Sequence, residues 1–180
     1  MRSLIACAIV LSIVAPSAAE ETLTSPYRDQ TFTEIRGLTE KEVSELREGR
    51  GMGLARAAEL NGYPGPRHVL DAVREGRLHL SPGQLQTVQR LFDDMAREAQ
   101  RLGDMIIKEE RALEGEFRKG TIGEADLQAS VTRIAALQGQ LRAVHLRTHL
   151  EMRPVLSEQQ IQHYNQLRGY GASSPQEHKH

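Results

Sequence analysis

Residues 80–119 read LSPGQLQTVQRLFDDMAREAQRLGDMIIKEERALEGEFRK, and this stretch decides the fold. Ser81 can cap a helix with its hydroxyl, Pro82 suits the first helical position, and Gln84 can reach back to complete a capping box. Leu85, Val88, Phe92, Met95, Ala99, Leu102, Ile106, Leu113 and Phe117 then recur at spacings of three, four or seven. That period draws one apolar stripe along a helix of about nine turns. Lys119-Gly120-Thr121-Ile122-Gly123 interrupts it, and Leu127, Val131, Ile134, Leu141 and Val144 carry a second stripe to about Arg153, where Pro154 stops it. So short a connection turns the two helices antiparallel, and the pattern predicts a long helical hairpin.

Outward from the hairpin the same signals recur. Leu156-Ser157-Glu158-Gln159-Gln160 opens a final helix by the logic of Leu80 to Gln84, with Tyr164, Leu167 and Tyr170 available to pack it back, and residues 171–180 form a polar tail. Upstream, Thr39-Glu40-Lys41-Glu42 is a third capping box, starting a helix to about Glu48. Gly49 to Gly53 breaks it, Leu54 to Leu60 forms a further helical segment, and Tyr63-Pro64-Gly65-Pro66 is a turn before a short helix from Arg67 to Arg74. Residues 20–37 lack a sustained period and read as an extended or disordered leader. The expectation is therefore all-α, with one helical-hairpin domain over residues 38–170. With 4% aromatic residues and no Trp, a β-sandwich or barrel is disfavoured.

Residues 1–19 have the layout of a signal peptide: Arg2, an apolar run from Leu4 to Val14, and small residues Ser17-Ala18-Ala19 at a cleavage site before Glu20. The run is shorter than the about 20 residues a membrane-spanning helix needs, so stable membrane insertion is not expected. Cleavage removes Cys7, the sole cysteine, and with it any disulfide or thiolate ligand. Lys and Arg number 23 against 24 Asp and Glu, which gives no electrostatic case for a nucleic-acid partner.

His145-Leu146-Arg147-Thr148-His149 places two imidazoles one turn apart on one helix face, a spacing that lets both reach one metal ion. At about 100° per residue, His145 aligns with Leu127, His149 with Val131 and Met152 with Ile134, so all three extend the apolar stripe. A core-facing pair costs desolvation unless hydrogen-bonded or metallated. The ordinary alternative is a pair satisfied by carboxylates or carbonyls in a helix interface. Antiparallel pairing sets His145 and His149 opposite Phe92 to Ala96, the end to which the helix begun by His68 also leads. His68 is therefore the third candidate ligand for zinc, nickel, cobalt or copper, with Glu59, Met95 and Met152 as weaker candidates and Met52 weaker still. Glu110 falls about 20 Å further along the helix and is excluded. Affinity for such an ion is expected to fall as pH drops through about 6.5, because neutral imidazole is the binding form.

Catalytic readings fail on residue detail. Leu146 stands where a zinc protease needs Glu, Gly49-x-Gly51-x-Gly53 follows a helix and not a strand, and Gly115 to Thr121 has Lys119 before its second glycine, unlike a phosphate loop.

The paired segments Leu80 to Gln84 and Leu156 to Gln160 resemble the L-T-x-x-Q motif of the Spy and CpxP family of periplasmic helical proteins, with Ser in place of Thr. Gly51 to Leu70 and the His145 helix resemble its heavy-metal resistance and sensor branch, which includes CnrX and ZraP. The resemblance covers about Leu38 to Tyr170. It implies a non-enzymatic, dimeric, periplasmic protein that binds a metal and works with an envelope signalling partner. It also implies that His145 and His149 match a His-x-x-x-Met ligand pair, with His149 standing where that branch has Met, a harder ligand set. The other function the resemblance allows is an ATP-independent chaperone for unfolded client proteins, which has no need of a buried His pair.

Overall fold

A computed structural model describes residues 24–33 and 35–170. The chain is all-α, with α1 Glu40–Arg47, α2 Arg56–Glu59, α3 Pro66–Arg74, α4 Pro82–Lys119, α5 Glu124–Met152 and α6 Glu158–Leu167. Among these residues no helix is long and apolar enough to cross a membrane. The segments assigned to the signal peptide and the polar tail lie outside the described residues.

All three capping boxes form. The hydroxyls of Thr39, Ser81 and Ser157 accept from the backbone N–H of Glu42, Gln84 and Gln160 at 3.2, 3.3 and 3.2 Å, while those three side chains accept from the cap N–H. α4 stops where Gly120 turns left-handed at φ 68°, and α5 returns antiparallel along it.

The two glutamines also hold each other. Gln84 Nε2 donates to Gln160 Oε1 at 2.9 Å, and Gln160 Nε2 donates back to Gln84 Oε1 at 3.1 Å. Each amide spends its second N–H on a backbone carbonyl of the other's approach: Val155 for Gln84 and His79 for Gln160, both at 2.9 Å. The two capping boxes thus close into one clasp at the open end of the hairpin.

Two apolar clusters flank the middle of the molecule. One joins Leu46 of α1 and Ile35 to Leu102, Ile106, Leu137 and Leu141 of the hairpin. The other joins Val69 of α3 and Leu156, Ile161 and Tyr164 around α6 to Val88, Leu91 and Met152. Gly103 lets α1 lie against α4: a Cβ there would meet the Leu46 carbonyl oxygen at 2.1 Å.

The structure departs from the expected pattern in two places. Within residues 20–37, Arg28–Phe32 form a 3-10 turn and Ile35 is only 2% exposed, because the face of α4 beyond Leu102 needs a cover that α1 alone is too short to give. Of the expected stripes, Leu85, Phe117 and Val131 are exposed at 38%, 56% and 47%, whereas Leu91, Ile107 and Leu137 are buried. A single period of 100° misplaces them because the buried seam drifts about 20° per heptad along a straight helix, and two helices alone cannot enclose the hairpin tip.

Candidate metal centre

Between the two apolar clusters α5 turns a polar face inward. His145, Thr148 and His149 are 3%, 5% and 7% exposed. Thr148 satisfies itself by donating to the Val144 carbonyl at 3.0 Å. The imidazoles instead border a cleft of about 470 Å³ whose far wall includes Phe92, Met95 and Ala96 of α4, the register expected from antiparallel pairing. The loop from Gly49 to Gly53 and the start of α3 complete its rim.

The two histidines are held differently. His149 Nδ1 stands 2.7 Å from the Tyr63 carbonyl oxygen. A carbonyl only accepts, so Nδ1 carries a proton, and in the neutral ring Nε2 is then the nitrogen with a free lone pair. Gly65 makes room for this ring: its backbone at φ −86° is open to any residue, but a Cβ there would stand 2.9 Å from His149 Cε1 and 3.1 Å from Nε2. His145 Nε2 is sealed from solvent with no hydrogen-bond partner among the described residues. Burial, and then the neighbouring His149, hold His145 below the ordinary histidine range, which keeps it neutral.

Glu59, from α2, is fastened rather than free. Its Oε1 accepts from the Tyr164 hydroxyl at 2.5 Å and from Arg168 Nε at 3.3 Å. Its Oε2 lies 3.7 Å from His149 Nδ1, the protonated side of that ring. Burial, and then donation to Glu59, push the Tyr164 phenol far above its usual range, so it stays a donor. The Tyr63 carbonyl is therefore the group that orients His149, and Glu59 stands behind the ring as a nearby negative charge.

Of the residues expected at the site, His68, Glu59, Met95 and Met52 join His145 and His149 on the cleft. His68 is half-buried, and burial, followed by the charge of Arg168, lowers its pKa. Met152 goes elsewhere: it is fully buried in the cluster with Val69 and Tyr164 and does not line the cleft. Glu110 lies beside Gly37 and Glu42, towards the other end. Among the described residues no three His, Cys, Asp or Glu side chains are grouped tightly enough to hold an ion by themselves.

Spacing did not disclose Tyr63, Gly65, Tyr164 or the arginines of the rim. The roles of Tyr63, Gly65, Tyr164 and Arg168 come from contacts across 84 to 109 residues, and the only local hint is the glycine between Pro64 and Pro66, which looks like ordinary turn chemistry.

The sequence model of the heavy-metal resistance family matches residues 51–163. The chain belongs to that family. The match takes in the glycine loop from Gly51 onward, Glu59, His68 and the whole hairpin with its His pair, and so the three imidazoles on the cleft, while Glu45 and Glu48 lie before it. No curated protein and no solved structure matches this family member. A link to metals is thus a property of the family, and on the cleft this member carries a buried, unpartnered nitrogen on His145 and a ring held by the Tyr63 carbonyl on His149.

Proposed function

We propose that this chain is an exported, periplasmic metal-binding protein of heavy-metal resistance or sensing, and that it takes a divalent transition ion at His145 and His149, with His68 at the rim. The observation that carries the reading is His145 Nε2, buried without a partner one turn from a histidine whose Nδ1 is already tied down. Leaving a buried polar atom unsatisfied costs about 1–3 kcal/mol. An ion at this pair removes that cost, and imidazole nitrogen suits zinc, nickel, cobalt and copper alike. His68 is carried by α3 and the pair by α5, so an ion that drew His68 in from the rim would tie the front of the chain to the hairpin. A state fastened in this way differs from the free one in what it presents to a signalling partner or a second copy. A binding protein, and not an enzyme, needs nothing more. The chaperone reading leaves the buried imidazoles without a purpose.

Titration calorimetry with zinc, nickel, cobalt and copper tests the site. The wild type is expected to bind at least one of them and to gain about 2.7 kcal/mol of stability when free metal is 100-fold above its dissociation constant. His145→Ala and His149→Ala are expected to abolish both effects, and His178→Ala to leave them intact. Core variants that keep wild-type affinity would reduce the pair to a helix-interface contact.

A further inference from the structure

The cleft carries positive charge that the histidine pair does not explain. Four guanidinium groups border it, from Arg50, Arg56, Arg67 and Arg168. Arg50 is paired with Glu48 at 2.7 Å and Arg168 with Glu59 at 3.3 Å. The remaining carboxylate of the wall, Glu45, leans towards Lys41 at 4.0 Å. Arg56 and Arg67 form no ion pair with any described residue; Arg67 lies 6.0 Å over the Phe92 ring, and Arg56 curls back towards Gly53. The protein donors are also too few. Among the described residues no three His, Cys, Asp or Glu side chains gather tightly enough to hold an ion, His68 stands at the rim, and Glu59 sits on the protonated side of His149. The cleft is open to solvent and, at about 470 Å³, has room for a small organic anion beside an ion.

We propose that the cleft takes its metal together with a small polycarboxylate anion, which supplies the missing oxygen ligands and is held by Arg56 and Arg67. The inference rests on the His145–His149 pair being the metal's seat. The chemistry is complementary at each contact. Carboxylate oxygens complete the coordination of a divalent ion, and planar guanidinium forks receive the carboxylates that do not reach it. A dication brought in as an anionic complex also meets the net positive wall without repulsion. The bare ion does not.

Zinc and citrate provide the test. In citrate sufficient to lower free zinc roughly 100-fold, a site for the bare ion loses apparent affinity by the same factor, whereas this site is expected to lose less than about tenfold. Equilibrium dialysis is expected to retain citrate in amounts equal to zinc, and none without zinc. Both arginines are exposed, so the double variant Arg56→Gln, Arg67→Gln is expected to fold with an unchanged melting temperature. It is expected to bind zinc within about twofold of wild type in citrate-free buffer and to lose citrate retention by tenfold or more, about one charged hydrogen bond's worth of affinity. Zinc affinity that falls in step with free zinc, citrate retention untouched by the double variant, or phosphate retained in citrate's place overturns the anion proposal and leaves the metal site standing. No zinc binding with or without citrate, or binding that survives His149→Ala, removes the metal site and the anion proposal with it.

Discussion

Gly65 and Gly103 show how a single missing Cβ can position a whole site. Gly103 brings α1 onto α4 and Gly65 lets α3 pass the His149 ring, and neither adopts a backbone conformation peculiar to glycine. Gly103→Ala is expected to lower stability by about 1–3 kcal/mol, despite the about 0.5–1 kcal/mol that alanine contributes in a helix, because the Leu46 backbone cannot move aside cheaply. Gly115→Ala, in the same helix with open space around it, is expected to raise stability; urea denaturation of both variants reads the opposite signs. Glu110 is a second informative residue. Burial, and then the charge of Glu42, raise its pKa, so the folded chain holds the proton more tightly than the unfolded one. Its favourable contribution is therefore complete below about 4.3 and is lost as pH rises through the raised folded value. Glu110→Gln is expected to increase the melting temperature at pH 7, with the gain vanishing as pH falls below about 4. A gain that is the same at both pH values would mean that the carboxyl titrates alike in both states.

At the scale of elements, the clasp between the starts of α4 and α6 is the feature with the widest reach. The capping boxes that start α4 and α6 are visible as local patterns, and each works as such. Their glutamines do a second job, since each bonds the other and a carbonyl on the other's approach. Gln84→Ala is expected to cost about 1–3 kcal/mol, since it strands the half-buried Val155 carbonyl and Gln160 amide, and Gln160→Ala to cost less, since the His79 carbonyl it strands is exposed to water. Their double-mutant cycle is expected to give a coupling of about 0.5–3 kcal/mol, whereas two independent caps would add. The short elements depend on such contacts even more. Four residues cannot hold α2 as a helix in isolation, and it persists because Glu59 is gripped by Tyr164 and Arg168 of the last segment.

For the whole molecule, the exposed apolar residues of the hairpin tip remain to be covered. Phe117 is 56% and Val131 47% exposed among the described residues. A homodimer is expected, and sedimentation of residues 20–180 at roughly ten micromolar reads it; a monomer at that concentration, or a dimer indifferent to Phe117→Ser, would count against the tip as its interface. The sequence by itself determined the helices, their caps, the hairpin and the one-turn spacing of the His pair, because these follow from hydrogen bonds and side-chain periods that close within a few residues. Only the tertiary structure decided which edge of each stripe is buried, that Ile35 belongs to the core, that Met152 packs instead of lining the cleft, and that Glu59 stands behind His149. Each of these depends on which distant segment lies opposite, and a helix can be covered on several sides by partners of similar hydrophobicity. The choice among those partners is made by packing, through small differences in volume such as the absent Cβ of Gly103, and by polar atoms that find their match across the chain.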